Sequence, residues 1–116
     1  PQEDRMQARK LWIAYGSPVQ GKVVVDEGAA TALLKRGKSL LPSGVVSAEG
    51  TFSAGNVISI VDPSGREIAR GITNYNSDAL QLIKGHKSRE IKEILGYHDY
   101  DEIVHRDNLT LVINGG

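Results

Sequence analysis

Residues 32–39, Ala32-Leu33-Leu34-Lys35-Arg36-Gly37-Lys38-Ser39, follow a relaxed phosphate-loop spacing, with alanine in the first glycine position. That chemistry needs a strand before the loop and a helix after it, so that backbone amides and a helix N-terminus face the phosphate. Here the apolar spacing before Gly37 is that of a helix, and Leu40-Leu41-Pro42 follows. The order is inverted, and the match is coincidental. His105-Arg106-Asp107 matches the tripeptide in which an aspartate serves as base for phosphoryl transfer to proteins. No glycine-rich loop, strand lysine or Asp-Phe-Gly accompanies it, so it reads as a charged turn between strands. His86, His98 and His105 have no common zinc spacing. Asp99, Asp101 and Glu102 surround Tyr100 without the glycine of a calcium loop. No residue is assigned a catalytic or metal-binding role.

Two groups of cations remain. Lys35, Arg36 and Lys38 gather at the end of one expected helix, and Lys84, His86, Lys87 and Arg89 lie between two later ones. Either could meet phosphate as point charges. Cations in a last helical turn are also favoured by the helix dipole alone.

The elements that must position these groups are short, because 13 glycines and four prolines punctuate the chain. Residues 1–10 are polar and charged and read as a linker, or as the tail of a helix, from a missing domain. Leu11–Tyr15 is an apolar run ended by Gly16-Ser17-Pro18. Gly21–Val25 is a β-branched strand. Asp26 then caps a helix to about Arg36, with Ala29, Ala30, Leu33 and Leu34 on one face and Gly37 as its C-terminal cap. Strands are expected over Gly44–Ala48, Val57–Val61 and Arg66–Tyr75, with Thr51-Phe52-Ser53 extended after a turn at Glu49-Gly50. Asp62-Pro63-Ser64-Gly65 is a turn, and Gly71 suggests a bulge. Asn76 or Ser77 caps a helix over Asp78–Ile83, and Ser88 caps one over Arg89–Leu95. Ile103–His105 and Leu109–Ile113 close the series as strands, and 114–116 is a frayed end. This order describes a small mixed roll or barrel.

Composition narrows the function classes. At 116 residues the chain is one domain. Fourteen basic residues balance fourteen acidic ones, unlike a strongly basic nucleic-acid module. Cysteine is absent, which removes disulfides, thiolate metal sites and a cysteine nucleophile. Aromatic residues make up 5%, too few for a broad base-stacking platform. No apolar run approaches the ~20 residues of a membrane helix, so the expected setting is the cytoplasm, with no membrane partner.

Several stretches in order resemble a known family. Val25-Asp26-Glu27-Gly28-Ala29, Leu33-Leu34 and Gly37–Val45 resemble the opening helix and first strand of a PUA domain. Phe52–Val57 and Asp62–Gly71 look like its central hairpin. Ala8–Ile13, Tyr75–Leu80, Ile94–Tyr97 and Val104–Asn108 narrow the likeness to the C-terminal PUA domain of bacterial glutamate 5-kinases, over roughly Arg5 to Leu111. Asn56 departs from the acidic residue PUA domains often carry there.

The resemblance implies a mainly β, mixed α/β pseudo-barrel with flanking short helices, over residues 11–113. It implies a parent enzyme that phosphorylates L-glutamate with ATP and magnesium in proline biosynthesis. Its catalytic domain lies N-terminal to this one, so this chain alone is inactive and carries no cofactor. The implied role is modulation of activity, regulation or assembly, with the kinase domain and a homo-oligomer of the parent as partners. The alternative is RNA binding. Carried over from RNA-modifying relatives, that surface comprises Gly28, Lys35, Arg36, Gly37 and Lys38.

Overall fold

The opening charged stretch is helical in the structure, a computed structural model that describes residues 2–112, with side chains from residue 5 onward. Helix α1 spans Gln2–Leu11 and runs into one wide π-turn, Trp12–Gly16. The apolar run at 11–15 therefore ends a helix, and of its residues only Ile13 is buried. Arg9 Nη1 donates to Asn108 Oδ1 at 2.6 Å, and Arg70 Nη1 donates to the Ala14 carbonyl at 2.7 Å. These two bonds fix the segment across the far end of the chain.

Strand β1 (Val19–Val25) leads into α2 (Glu27–Arg36). Asp26 Oδ1 accepts from the Ala29 amide at 2.7 Å, and Gly37, at φ 59°, sends its N–H to Ala32 O. Both caps stand where residue chemistry asks for them. A 3-10 turn at Pro42–Gly44 precedes β2 (Val45–Glu49), then come β3 (Val57–Val61) and β4 (Glu67–Ile72). Asp62 Oδ1 holds the β3–β4 turn by accepting from the amides of Ser64 and Arg66. Asn56 Oδ1 accepts from the Ser53 amide at 2.8 Å, the backbone contact a carboxylate would make there. Helix α3 (Ser77–Ile83) is capped by Asn76, α4 spans Ile91–Leu95, and β5 spans Leu109–Leu111.

Three expectations need correction. Ser88 is no cap; it sits inside a 3-10 turn, where its hydroxyl donates to Asp101 O at 2.7 Å, and the Glu90 carboxylate instead accepts from the Lys87 amide. Residues 103–105 form only an isolated antiparallel bridge, Val104 to Leu40. Gly71 is not a bulge: the irregularity between β3 and β4 falls at Ile60/Val61. A Cβ at Gly71 would lie 2.4 Å from Val104 Cγ1, so the glycine clears a path for the chain crossing β4. Ile113 and residues 114–116 lie outside the described residues.

The strands form one mixed sheet in the order β2-β1-β3-β4-β5. β1 and β3 pair in parallel, and the other pairs are antiparallel. Central β3 is buried along its whole length, as a strand covered on both faces must be. α2 contributes Ala30 and Leu33 to the core, and α3 and α4 contribute Leu80, Ile83 and Ile91. On β3 and β4, Ser59 and Arg70 both bond to Glu67, Arg70 through Nε at 2.9 Å and Nη2 at 3.2 Å. Burial pushes the Glu67 carboxyl up, but the Arg70 and Ser59 hydrogen bonds outweigh it and hold it below its ordinary value.

Candidate functional site

One cleft of about 550 Å³ opens between the N-terminal half of α2, residues 38–44 and residues 102–106. Small residues on α2 (Gly28, Ala29 and Ala32) form one wall, with Leu40 and Leu41 as apolar lining opposite. The wall is set by close approach: a Cβ on Gly44 would lie 2.6 Å from Ala29 Cβ, and the Asp26 amide donates to Gly44 O at 3.0 Å. The third side is brought in from far along the chain. Leu40 and residues 103–104 exchange backbone bonds, Leu40 N to Val104 O at 2.9 Å and Ile103 N to Leu40 O at 2.7 Å. Ser39 Oγ accepts from the Arg106 amide at 2.8 Å.

Two acidic and two basic residues line the cleft, and Asp26 among them is engaged as the cap of α2. Lys38, Arg106 and Glu102 line the cleft, and none of the three forms an ion pair among the described residues. His105 Nδ1 accepts from the Asp107 amide at 3.0 Å, which leaves Nε2 to carry the proton in the neutral ring. A smaller groove beyond is lined by Lys10, Gly37, Lys38, Arg106 and Thr110, among others. Lys38 and Arg106 border both, so an anion crossing from one groove to the other meets the same two cations.

The structure divides the residues singled out in the sequence. Gly28 and Lys38 lie in the main cleft, and Gly37 and Lys38 in the smaller groove. Lys35 and Arg36 lie in the last turn of α2, exposed and lining neither. His105 and Arg106, read above as turn residues, enter the cleft. Sequence spacing carries no sign of this, because the bond that places Arg106 joins positions 67 apart. In the second basic group Lys84 Nζ donates to Gln81 Oε1 and His86 pairs with Glu90 at 3.7 Å, while Lys87 and Arg89 form no ion pair among the described residues. His98 Nε2 pairs with Asp101 Oδ1 at 2.7 Å. Residues 32–36 are the C-terminal half of α2, so its last carbonyls, rather than a helix N-terminus, face Lys38 and Ser39. Among the described residues no three His, Asp or Glu side chains gather where a metal ion could be held. No described helix is long and apolar enough to cross a membrane.

A family model for the PUA domain matches residues 21–95. Glutamate 5-kinase from Moorella thermoacetica is 58% identical over 112 residues, which cover 97% of this chain and 30% of that protein. The glutamate 5-kinase of Caldanaerobacter subterraneus subsp. tengcongensis is 51% identical over 115 residues, covering 99% of this chain and 31% of that protein. The chain thus spans about 30% of the length of the curated relatives it matches. Among solved structures, a PUA domain from Aeropyrum pernix K1, described as a tartrate complex, superposes with a TM-score of 0.55 at 28% identity, covering 74% of this chain and 41% of that one. A conserved PUA domain protein from Thermoplasma acidophilum superposes with a TM-score of 0.50 at 28% identity, over 61% and 46% of the two chains.

Proposed function

The chain belongs to the PUA domain family, and from that premise we propose that it is the non-catalytic PUA domain of a glutamate 5-kinase. The observation that carries this reading is 58% identity over 97% of the chain to an enzyme of that name. In the whole polypeptide, L-glutamate would receive a phosphoryl group from ATP on its side-chain carboxylate, in the cytoplasm, as a step of proline biosynthesis. ATP and magnesium belong in this reading to the remainder of the polypeptide, where the resemblance to glutamate 5-kinases puts the catalytic domain. The role of this domain is to tune the activity, regulation or assembly of that remainder, including its homo-oligomer. The test is to delete residues 1–116 from the whole polypeptide and follow glutamate-dependent ADP formation. Retained activity with altered magnesium dependence or feedback supports the reading. Complete loss of folding and activity refutes it.

A second reading has its own support. Lys38 and Arg106 border both grooves without ion-pair partners, an arrangement that suits phosphates of a bound RNA. Titration of the chain with labelled structured RNA at low and near-physiological salt tests this. Binding that falls with salt and is lost in Lys38→Glu/Arg106→Glu supports it, because each phosphate contact adds to the salt slope. Absence of binding at low salt refutes it.

A further inference from the structure

Leu11, Trp12 and Tyr15 are 60%, 48% and 85% exposed, while Ile13 between them is fully buried. Single apolar residues at a surface are ordinary, but three within one turn make a patch. Two of them are aromatic, in a chain with one tryptophan, four tyrosines and one phenylalanine. The turn that presents them is held from beneath by buried Ile13 and by the bond from Arg70 to the Ala14 carbonyl. Gly16 gives the indole a seat, since a Cβ there would lie 3.0 Å from Trp12 Cδ1. The side chains are thus presented on an ordered backbone, which lowers the entropy a partner must overcome. Aromatic anchors of this kind dominate the energy of interfaces.

We propose that the face formed by Leu11, Trp12 and Tyr15 is the docking surface for the kinase domain of the same polypeptide. The match covers only 30% of the relative from Moorella thermoacetica, so roughly 70% of such a protein is tied to this face by the backbone. Tethering supplies a millimolar effective concentration, enough for a small patch to be occupied. A second copy of this chain is the weaker occupant. At about 150–250 Å² per aromatic side chain, three partly exposed residues fall short of the ~800 Å² per partner of a stable free interface.

Trp12 is the chain's sole tryptophan and reports directly on the face. The 5-fluorotryptophan resonance of Trp12, assigned by its loss in Trp12→Phe, is compared between the 116-residue chain and the whole polypeptide, with a soluble paramagnetic agent added to each. Docking predicts strong broadening in the chain alone and protection in the whole polypeptide. It also predicts that Tyr15→Ala, at a largely exposed position, lowers the docked-to-open ratio in the whole polypeptide by about 30-fold, the scale of a lost hot-spot residue, read as restored broadening of the Trp12 resonance. Equal broadening in both forms overturns the proposal, as does concentration-dependent protection in the chain alone, which would identify a second copy as the occupant. The inference rests on the reading that this chain is one domain of a longer kinase. A protected Trp12 in a polypeptide without glutamate kinase activity would refute that reading alone, and an exposed Trp12 in an active kinase would refute the docking alone.

Discussion

Exchanging one methyl group across the cleft wall tests how α2 is held. Gly44 has no positive φ, so alanine there is not opposed by its backbone conformation. It is opposed by Ala29, whose Cβ would lie 2.6 Å from the new methyl; the next atoms, Leu40 Cδ1 and Ala29 Cα, lie at 3.8 and 3.9 Å. Carbon atoms prefer separations of about 3.5–4.0 Å, so Gly44→Ala forces roughly 1 Å of movement between α2 and the turn before β2. Overpacking of this kind costs about 1–3 kcal/mol. Ala29→Gly costs up to about 1 kcal/mol through helix propensity, and its amide still donates to Asp26. The double variant moves the methyl from one side of the contact to the other, so its stability should fall near that of Ala29→Gly alone, with a coupling of at least about 1 kcal/mol. Urea unfolding followed by far-UV circular dichroism measures all four proteins. The midpoint of Gly44→Ala should fall at unchanged m, with a Tm lower by about 4 °C per kcal/mol. A neutral Gly44→Ala, or a double variant in which the two losses simply add, would refute the close-approach account.

Three further outcomes follow from the same structure. Asp26→Ala removes the cap on the Ala29 amide and should cost about 1 kcal/mol, read as a lower urea midpoint. Glu67 is held below its ordinary 4.5 in the folded state, so the stability it contributes is complete above 4.5 and is lost as pH falls through the lowered value. Glu67→Gln should therefore lose about 1 kcal/mol or less at neutral pH, given partial exposure, and show a shallower decline than the parent chain when urea midpoints are followed into acid. Tyr75→Phe removes the hydroxyl that donates to Tyr100 O and accepts from Tyr100 N. It should cost about 1 kcal/mol and speed amide exchange at Tyr100 while leaving the sheet amides protected.

Local chemistry made α2 legible. Asp26, Gly37 and the cations of the last turn lie within one helix length of each other, and a cap needs no distant partner. The same holds for Asn76 before α3 and for the Asp62 turn. What local spacing does not carry is contact across the chain. Gly21 reads as the start of a strand, yet it is required because Phe52 packs over it, 2.3 Å from where a Cβ would be. Residues 103–105 have strand-like composition but pair only once, because Leu40 offers a single bridging position. The apolar residues at 11–15 gave no sign of a π-turn, since the Arg70 bond that secures it reaches across 56 positions. The candidate cleft was half legible for the same reason: Gly28 and Lys38 belong to a local motif, whereas His105 and Arg106 arrive through pairing with Leu40 and Ser39.

The bond between Arg9 and Asn108 joins positions 99 apart and sets an order of assembly. Closing a loop of that length costs about 4 kcal/mol in chain entropy before any constant contribution. β1 must likewise wait for β3, since their parallel pairing is separated by α2 and β2. During synthesis at about 5–20 residues per second, α1 emerges long before the Asn108 side chain that receives Arg9. Once β4 is in place Arg70 can hold the Ala14 carbonyl, so what waits for the far end of the chain is the Arg9–Asn108 closure.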